Sequence, residues 1–484
     1  MSETFLFYDI ETTGLNPAFD QILQFAAIRT DSKLNELARH EYRVKLRPDV
    51  IPSPHALLTN QISLQTMLQG ETEFEVVKKI HALFNTPGTI SLGYNTLGFD
   101  DEFLRFSFYR NLLSPYTHQY ANQCSRMDIY PVVLFYYLFN SESVINWPIV
   151  DNKLSLKLES LNTANNFNQG QAHNAVIDVE TTIALTKALM KSEKIWQYCQ
   201  GYFTKHEDAI RLSKLGLAYP QTTLAMTEGL YIAGNLGSTL AFQIPVLLLG
   251  QHNIYKNQSL WLRLDLPELA CTTFSEIEKT TWIIRKKPGE PGFILPSQPR
   301  FLRHLSAERL AITHANKAWL LKNPLLLQAI IDYHLNFQYP LIAQADIDSV
   351  LYQNGFFSNN DQALCRLFHT VSLTEKLLLI EKFESLELQE LAVRLLARNF
   401  EVTLPNKYQE LYTAYLKKFY EGKEILIDYR KQMKFNVQQA LQELSTLNQR
   451  QNLTSEQQHF LLDYSNFINQ RGNSDGLLAN EIRA

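Results

Sequence analysis

Glycine and proline are scarce, 18 of each in 484 residues. That excludes collagen-like and low-complexity architectures and favours long helices. No apolar run approaches the ~20 residues a membrane-crossing helix requires; stretches such as Val132–Phe139 stop far short of it. The stretch Met1–Glu11 carries Glu3, Asp9 and Glu11 and no basic leader, so no secretory signal is expected and a cytoplasmic location is. Cys124, Cys199, Cys271 and Cys365 lack the paired spacing of zinc or redox sites and read as reduced, mostly buried thiols. Gly422-Lys423-Glu424 lacks the upstream glycine and following hydroxyl of a P-loop, and no His-Glu-x-x-His motif occurs. Basic excess is missing too: 45 Lys and Arg against 49 Asp and Glu give a net charge of −4. A polyanion must then be held by a local groove or by metal ions, not by bulk attraction. What the chain does have is apolar material, 45% with 28 Phe and 23 Tyr, enough for buried cores. At about 100–200 residues per domain the length implies two to four domains.

The first 190 or so residues read as an α/β layer with a central mixed sheet. Phe5–Tyr8 and Ile22–Arg29 are strands, and the alternation of Tyr42, Val44 and Leu46 predicts a third. Phe74, Val77, Ile80, His81 and Phe84 mark a helical face, followed by a strand at Ile90–Tyr94. Asp100–Leu113, Met127–Leu138 and Asn174–Met190 are the remaining predicted helices. Short apolar runs then alternate with turns: Leu248–Tyr255, Leu260–Leu266, Trp282–Lys286 and the turn from Lys287 to Gly292. This is a β-rich region with helical insertions such as Asn323–Tyr333. Beyond Leu351 the chain reads as helical throughout, with capping boxes at Ser372-x-x-Glu375 and Thr454-x-x-Gln457. The expected divisions are 1–192, 193–349 and 350–470, with 471–484 a frayed tail.

The chemistry is carried by carboxylates. Asp9 and Glu11 sit two apart at the end of the first strand, on one face and ~6.5–7 Å apart along it. Adjacent anions there call for a divalent cation between them, although an Asp-x-Glu pair on a surface strand end is commonly just solvated. Phe99-Asp100-Asp101-Glu102 opens a helix, where capping is the plainer role for the acids. Asp178, among Val176, Ile177 and Val179, is predicted to be buried. His173 lies five residues earlier, about 140° around a helix. It therefore belongs to the preceding loop, with Asn174 as cap. Four acids suit hard cations such as Mg²⁺ or Mn²⁺, and two such ions can cut a phosphodiester. In that reading Asp9 bridges both ions, Glu11 and Asp178 complete one, and Asp100 supports the other. His173 is the proton acceptor at neutral pH.

The ordered set Asp9, Glu11, Asp100, His173 and Asp178 resembles the DEDD-type 3′–5′ exonucleases in their histidine-containing form. Longer blocks narrow this. Phe5–Thr12, Gln24–Asp31, Gly93-Tyr94-Asn95 with Phe99–Glu102, Tyr109-Arg110-Asn111, Ile145-Asn146-Trp147-Pro148 and Leu351–Phe357 are similar to the bacterial exodeoxyribonuclease I family over essentially the whole chain. The resemblance implies a ribonuclease H-like exonuclease domain, an SH3-like domain and a helical C-terminal domain around single-stranded DNA. It also implies processive 3′→5′ release of 5′-mononucleotides, Mg²⁺ dependence with Mn²⁺ able to substitute, a monomer acting in DNA repair, and docking of the acidic tail of the single-stranded DNA-binding protein. Glu11, Arg105, Tyr116, Tyr120 and Lys157 fall at positions where the family meets substrate. Lys157 stands in place of an arginine and so loses the bidentate fork, and Tyr120 in place of a larger aromatic. Arg300, Arg303 and the cluster Arg285-Lys286-Lys287 are further cationic candidates, the cluster reading more simply as a solvated turn. A 3′ exoribonuclease of the same superfamily and a non-catalytic strand-binding protein are the competing expectations.

Overall fold

The computed structural model describes residues 3–140, 144–169, 174–222, 224–400, 404–421, 425–450 and 453–472. Five strands, β1 (Thr4–Thr12), β2 (Ile22–Thr30), β3 (Glu36–Arg43), β4 (Thr89–Leu92) and β5 (Ser125–Arg126), form a mixed sheet ordered β3-β2-β1-β4-β5. β1 runs antiparallel to β2 and parallel to β4. It lies at the centre and is apolar from Phe5 to Tyr8 because helices cover both faces. Phe5 and Phe7 pack with Ile28 against Val132, Val133, Val179 and Ile183. Leu6, Tyr8 and Ile10 pack with Phe25 on the opposite side, against Val77, Ile80, Phe84, Phe103 and Leu104. Strand periodicity therefore turns Asp9 and Glu11 toward the face that carries Phe5 and Phe7.

The third strand differs from expectation. It spans Glu36–Arg43, an edge strand with one face half-buried, and ends before Val44. Val44 makes an isolated parallel bridge to Glu71 and donates its N–H to the Leu23 carbonyl at 2.9 Å, and its side chain is buried in the sheet's own core with Leu6 and Phe25. Leu46 is buried with Val50, Ile51 and C-terminal residues such as Leu461 and Ile468. Tyr42 and Val44 thus pack with the sheet's own core, and Leu46 packs beyond it.

A small hairpin, β6 (Ile149–Val150) and β7 (Lys153–Leu154), precedes the second sheet. That sheet contains β8 (Glu228–Ile232), β9 (Gln243–Gln251), β10 (Ser259–Arg263), β11 (Ile283–Lys286) and β12 (Phe293–Leu295), all antiparallel in the order β11-β10-β9-β8-β12. The Arg285–Lys287 cluster is not simply solvated. Lys286 is buried, and its ammonium lies 2.8 Å from Asp208. The predicted helix near Asn323 is Pro324–Leu335; a longer one before it, Ala307–Lys322, is capped by Ser306 and went unanticipated. Of the cysteines only Cys124 and Cys199 are buried; Cys271 is exposed and all four are free.

The C-terminal region is mostly helical, but not throughout as expected: residues 426–434 form a short hairpin in which Ile427 bridges Met433 and Ala345. Ser372 and Glu375 form their capping box, and Thr454 and Gln457 exchange equivalent bonds of 3.2 and 3.0 Å. The last helix runs through Gly472, and Arg471 does not fray: its guanidinium donates to the Val50 carbonyl at 2.8 Å. The rest of the expected tail, 473–484, lies outside the described residues.

A buried ion network joins this region to the first. Asp49 meets Arg47 (3.1 Å), Arg398 (2.8 Å), Lys434 (3.1 Å) and the Tyr415 hydroxyl (2.6 Å). Arg398 also pairs with Asp348 at 2.5 Å, and Arg394 with Asp346 at 2.7 Å. Burial alone raises a carboxyl pKa, yet the surrounding cations, Arg398 foremost, hold Asp49 and Asp348 well below the ordinary range. A depressed folded pKa contributes stability that is full above pH ~4 and is lost as pH falls toward the folded value. Urea denaturation should therefore show stability declining below pH ~4. Arg398→Met, which strands buried Asp348 and Asp49, should cost about 3–5 kcal/mol at pH 7; an unchanged midpoint would remove the network from the account of how the regions are joined.

Candidate active site

β1 presents Asp9 and Glu11 to the helix Ala175–Met190, which contributes Asp178. Each of the three offers an oxygen, and these oxygens all lie within 4.8 Å of one another. The helix begins as expected: Asn174 caps it, accepting the Val176 N–H at 3.1 Å. Asp178 is half-buried, less enclosed than its apolar neighbours in sequence suggest. Glu11 is buried, while Asp9, like Asp178, is half-buried. His173 lies outside the described residues.

Asp100 joins them from the first turn of the helix Asp100–Arg110. It does not cap that helix, whose N-cap is Phe99. Instead its Oδ1 accepts the Ile10 N–H at 3.2 Å, tying it to β1 between the two acids. Nor does Asp101 cap; it is buried among Arg105 (2.5 Å), Arg126 (2.6 Å) and His118 (3.0 Å).

Burial and mutual repulsion set the electrostatics. Asp9 is raised well above the usual carboxylate range by burial first, then by Asp100, Glu11 and Asp178. Glu11 is pushed up to about 8 by burial, then by Asp178 and Asp100. Asp100 is raised by burial although backbone N–H groups oppose the shift. Among the described residues no lysine or arginine forms an ion pair with Asp9, Glu11 or Asp100. The donor set is all oxygen, closely spaced and short of positive charge, which fits a hard divalent cation such as Mg²⁺ or Mn²⁺.

Sequence reasoning missed Asp128. It caps the helix Ile129–Phe139 and accepts three backbone N–H groups, from Asn95 (2.9 Å), Leu97 (3.0 Å) and Tyr130 (2.9 Å). Burial nevertheless pushes it up to about 6. These bonds fix the turn between β4 and Asp100, in which Asn95 adopts a left-handed φ of 64°. An acid just before an apolar helix was the available signal. Gly93 in the same turn has its own reason: a Cβ there would fall 2.4 Å from the Tyr8 carbonyl oxygen, beside Asp9.

The remaining predicted substrate residues differ in placement. Arg105 is buried, paired with Asp101 and Glu102 (2.8 Å), hydrogen-bonded to the Tyr352 hydroxyl (3.2 Å), and 5.9 Å from the centre of the half-buried Tyr116 ring. Tyr120 is exposed. Lys157, also exposed, occupies the N-cap of Leu158–Asn165 with Glu159 3.6 Å away. A cation at a helix N-terminus opposes the dipole unless an anion joins it.

The exonuclease family model matches residues 6–186, and the exonuclease I C-terminal domain model matches 345–471. The chain is 30% identical over 457 residues to exodeoxyribonuclease I of Escherichia coli (strain K12), covering 90% of this chain and 94% of that one. It is 30% identical over 439 residues to exodeoxyribonuclease I of Haemophilus influenzae, covering 85% and 89%. The crystal structure of E. coli exonuclease I in complex with a dT13 oligonucleotide superposes with a TM-score of 0.81 at 25% identity, over 97% of this chain and all of that one. The zinc-bound complex of the same nuclease with single-stranded DNA gives 0.81 at 26% identity over 97% and 100%.

A folded-state pKa above the ordinary value makes stability full at low pH and erodes it as pH rises through the folded value. Without divalent cations, thermal stability should fall between pH ~4 and 8 as Glu11 is forced to ionise, and Mg²⁺ should reverse the loss. Glu11→Gln should melt several degrees above the unsubstituted protein in EDTA at pH 8; a lower melting point would contradict the repulsion.

Proposed function

Because the chain belongs to the exodeoxyribonuclease I family, we propose that it hydrolyses single-stranded DNA processively from the 3′ end and releases 5′-mononucleotides. It is an exodeoxyribonuclease, a phosphodiester hydrolase. The observation that carries the reading is the convergence of oxygens from Asp9, Glu11 and Asp178 within 4.8 Å of one another beside β1.

Asp9, Glu11, Asp178 and Asp100 would hold the divalent pair, Mg²⁺ in the cell, with Mn²⁺ able to substitute. Such a pair supplies Lewis acidity to a phosphodiester and a nucleophile at neutral pH. The protein's part is positional. β1 sets the separation of Asp9 and Glu11, the Ile10 N–H holds one oxygen of Asp100, and Asp128 fixes the turn ahead of it. His173 is assigned the role of accepting the proton of the attacking water, as its ordinary pKa near neutrality allows. Arg105 and Tyr116 meet the strand as a cation and ring, Tyr120 offers a stacking face, and Lys157 attracts a phosphate at the helix N-terminus. Glu11 also contacts the terminal nucleotide.

The proposal extends to repair of DNA, to a monomer acting in the cytoplasm, and to docking of the acidic tail of the single-stranded DNA-binding protein. Among the described residues no helix is long and apolar enough to cross a membrane.

Asp9→Ala should lose Mg²⁺-dependent digestion of a labelled DNA strand by on the order of 10³-fold or more while still binding it. Digestion at the unsubstituted rate would refute the metal assignment, and faster decay of a matched RNA would favour the exoribonuclease reading. Lys157→Arg restores the bidentate fork and should lower KM a few-fold; a raised KM would remove Lys157 from the strand path.

A further inference from the structure

The loop that joins β1 to β2, residues 13–21, begins two positions after Glu11, and the register of the two strands shifts at Glu11/Thr12. An irregularity of this kind re-aims the side chain beside it, so whatever fixes the loop also fixes Glu11. Four successive carbonyls of the loop accept from buried guanidinium groups. Arg110 donates to those of Pro17 (3.0 Å), Ala18 (2.8 Å) and Asp20 (3.3 Å), and Arg47 to that of Phe19 (3.3 Å). Buried carbonyls require partners, and here side chains supply them. Glu73 balances both cations, 3.4 Å from Arg110 and 3.0 Å from Arg47.

The grip reaches the end of β1 through Asp20. Its carboxylate accepts the Thr13 hydroxyl (3.1 Å) and the Asn16 N–H (2.8 Å). Thr13 in turn donates its N–H to the Gln21 carbonyl and accepts the Gln21 N–H on its hydroxyl, both at 2.9 Å. Asp20 stands so close to the chain that a Cβ on Gly14 would fall 2.5 Å from its Oδ2. Phe106, one turn before Arg110, packs with Ala18 and Phe19 of the same loop.

Arg110 is the last residue of the helix that opens with Asp100. At 1.5 Å per residue the two lie about 15 Å apart along it. In its first turn the helix meets β1 one residue before Glu11, where Asp100 accepts the Ile10 N–H. In its last turn it clasps the loop that follows Glu11. Glu11 therefore lies between two attachments to one rigid element.

We propose that Arg110 is a positioning residue for the divalent site: by holding the loop carbonyls it keeps Glu11 in register with Asp100. This rests on the metal-dependent nuclease reading above and adds to it a side chain that touches neither ion nor DNA.

Arg110→Lys keeps the charge but replaces a flat fork with a single ammonium that cannot span three carbonyls. Mn²⁺ affinity would be read by electron paramagnetic resonance without DNA, and kcat and KM with a long oligothymidylate, all well below the melting point of the variant. Mn²⁺ binding should weaken by about 10- to 100-fold and kcat should fall by a similar factor, while KM for the strand stays nearly constant. Asp20→Asn removes one of the two acceptors without removing bulk and should shift Mn²⁺ affinity and kcat in the same direction. It decides the matter if Arg110→Lys does not fold. A lower melting point with Mn²⁺ affinity and kcat unchanged would make Arg110 a packing residue and overturn the proposal, as would a loss confined to KM. An unsubstituted protein that neither binds Mn²⁺ nor cuts the strand would instead sink the nuclease reading itself.

Discussion

Four carboxylates pressed toward one another, with no side-chain cation among the described residues paired to Asp9, Glu11 or Asp100, are the constraint on which the rest of this structure depends. Such an arrangement opposes folding, so the surrounding elements must impose it. Central placement of β1 does so for Asp9 and Glu11, because Phe5 and Phe7 on the same face are locked against Val179 and Ile183. That packing brings the helix bearing Asp178 to the two acids. On the opposite face, Phe103 and Leu104 anchor the helix that opens with Asp100. The hydrophobic core thus supplies the free energy that holds the repelling groups together, and a divalent cation recovers part of it on binding.

Two populations of buried acid coexist in the chain, and their electrostatics are opposite. Asp49, Asp348 and Asp101 are surrounded by guanidinium or ammonium groups and sit below the ordinary carboxylate range. Asp9, Glu11 and Asp100 pair with none among the described residues and sit above it. The first kind closes joints: Asp49 binds Arg398 and Lys434 across the boundary between the nuclease sheet and the helical region. The second kind is poised for a charge that the protein itself does not provide.

Much of this was legible along the chain because it is local. The two-residue spacing of Asp9 and Glu11 fixes their common face, and Asn174 announces the helix that carries Asp178. Capping boxes at Ser372 and Thr454 likewise depend on four consecutive residues. What escaped is long-range. Nothing near Asp128 shows that its oxygens will accept N–H groups from Asn95 and Leu97, about thirty positions earlier. Lys286 looks like a turn cation until Asp208 is packed against it. Val44 and Leu46 alternate as a strand does, yet the strand ends before them, and Leu46 packs in a cluster with C-terminal residues. The ion pairs of Arg105 with Asp101 and Glu102 are likewise set by the folded helix.

That internal use of cations explains how a chain of net charge −4 can serve a polyanion. Arg47, Arg110, Arg126, Arg394 and Arg398 are all engaged in buried or nearly buried pairs and are unavailable to phosphate. A strand held chiefly by many phosphate contacts would be bound tightly but with steep salt dependence. Rings such as Tyr116 and Tyr120, in the proposed strand path, would instead offer each base a similar face, whatever its identity. Successive one-nucleotide registers on such a surface are nearly equal in energy, so the strand can advance after each cleavage without being released. The divalent site then fixes only the terminal linkage, and the division of labour between stacking and metal follows from how the fold has already allocated its arginines.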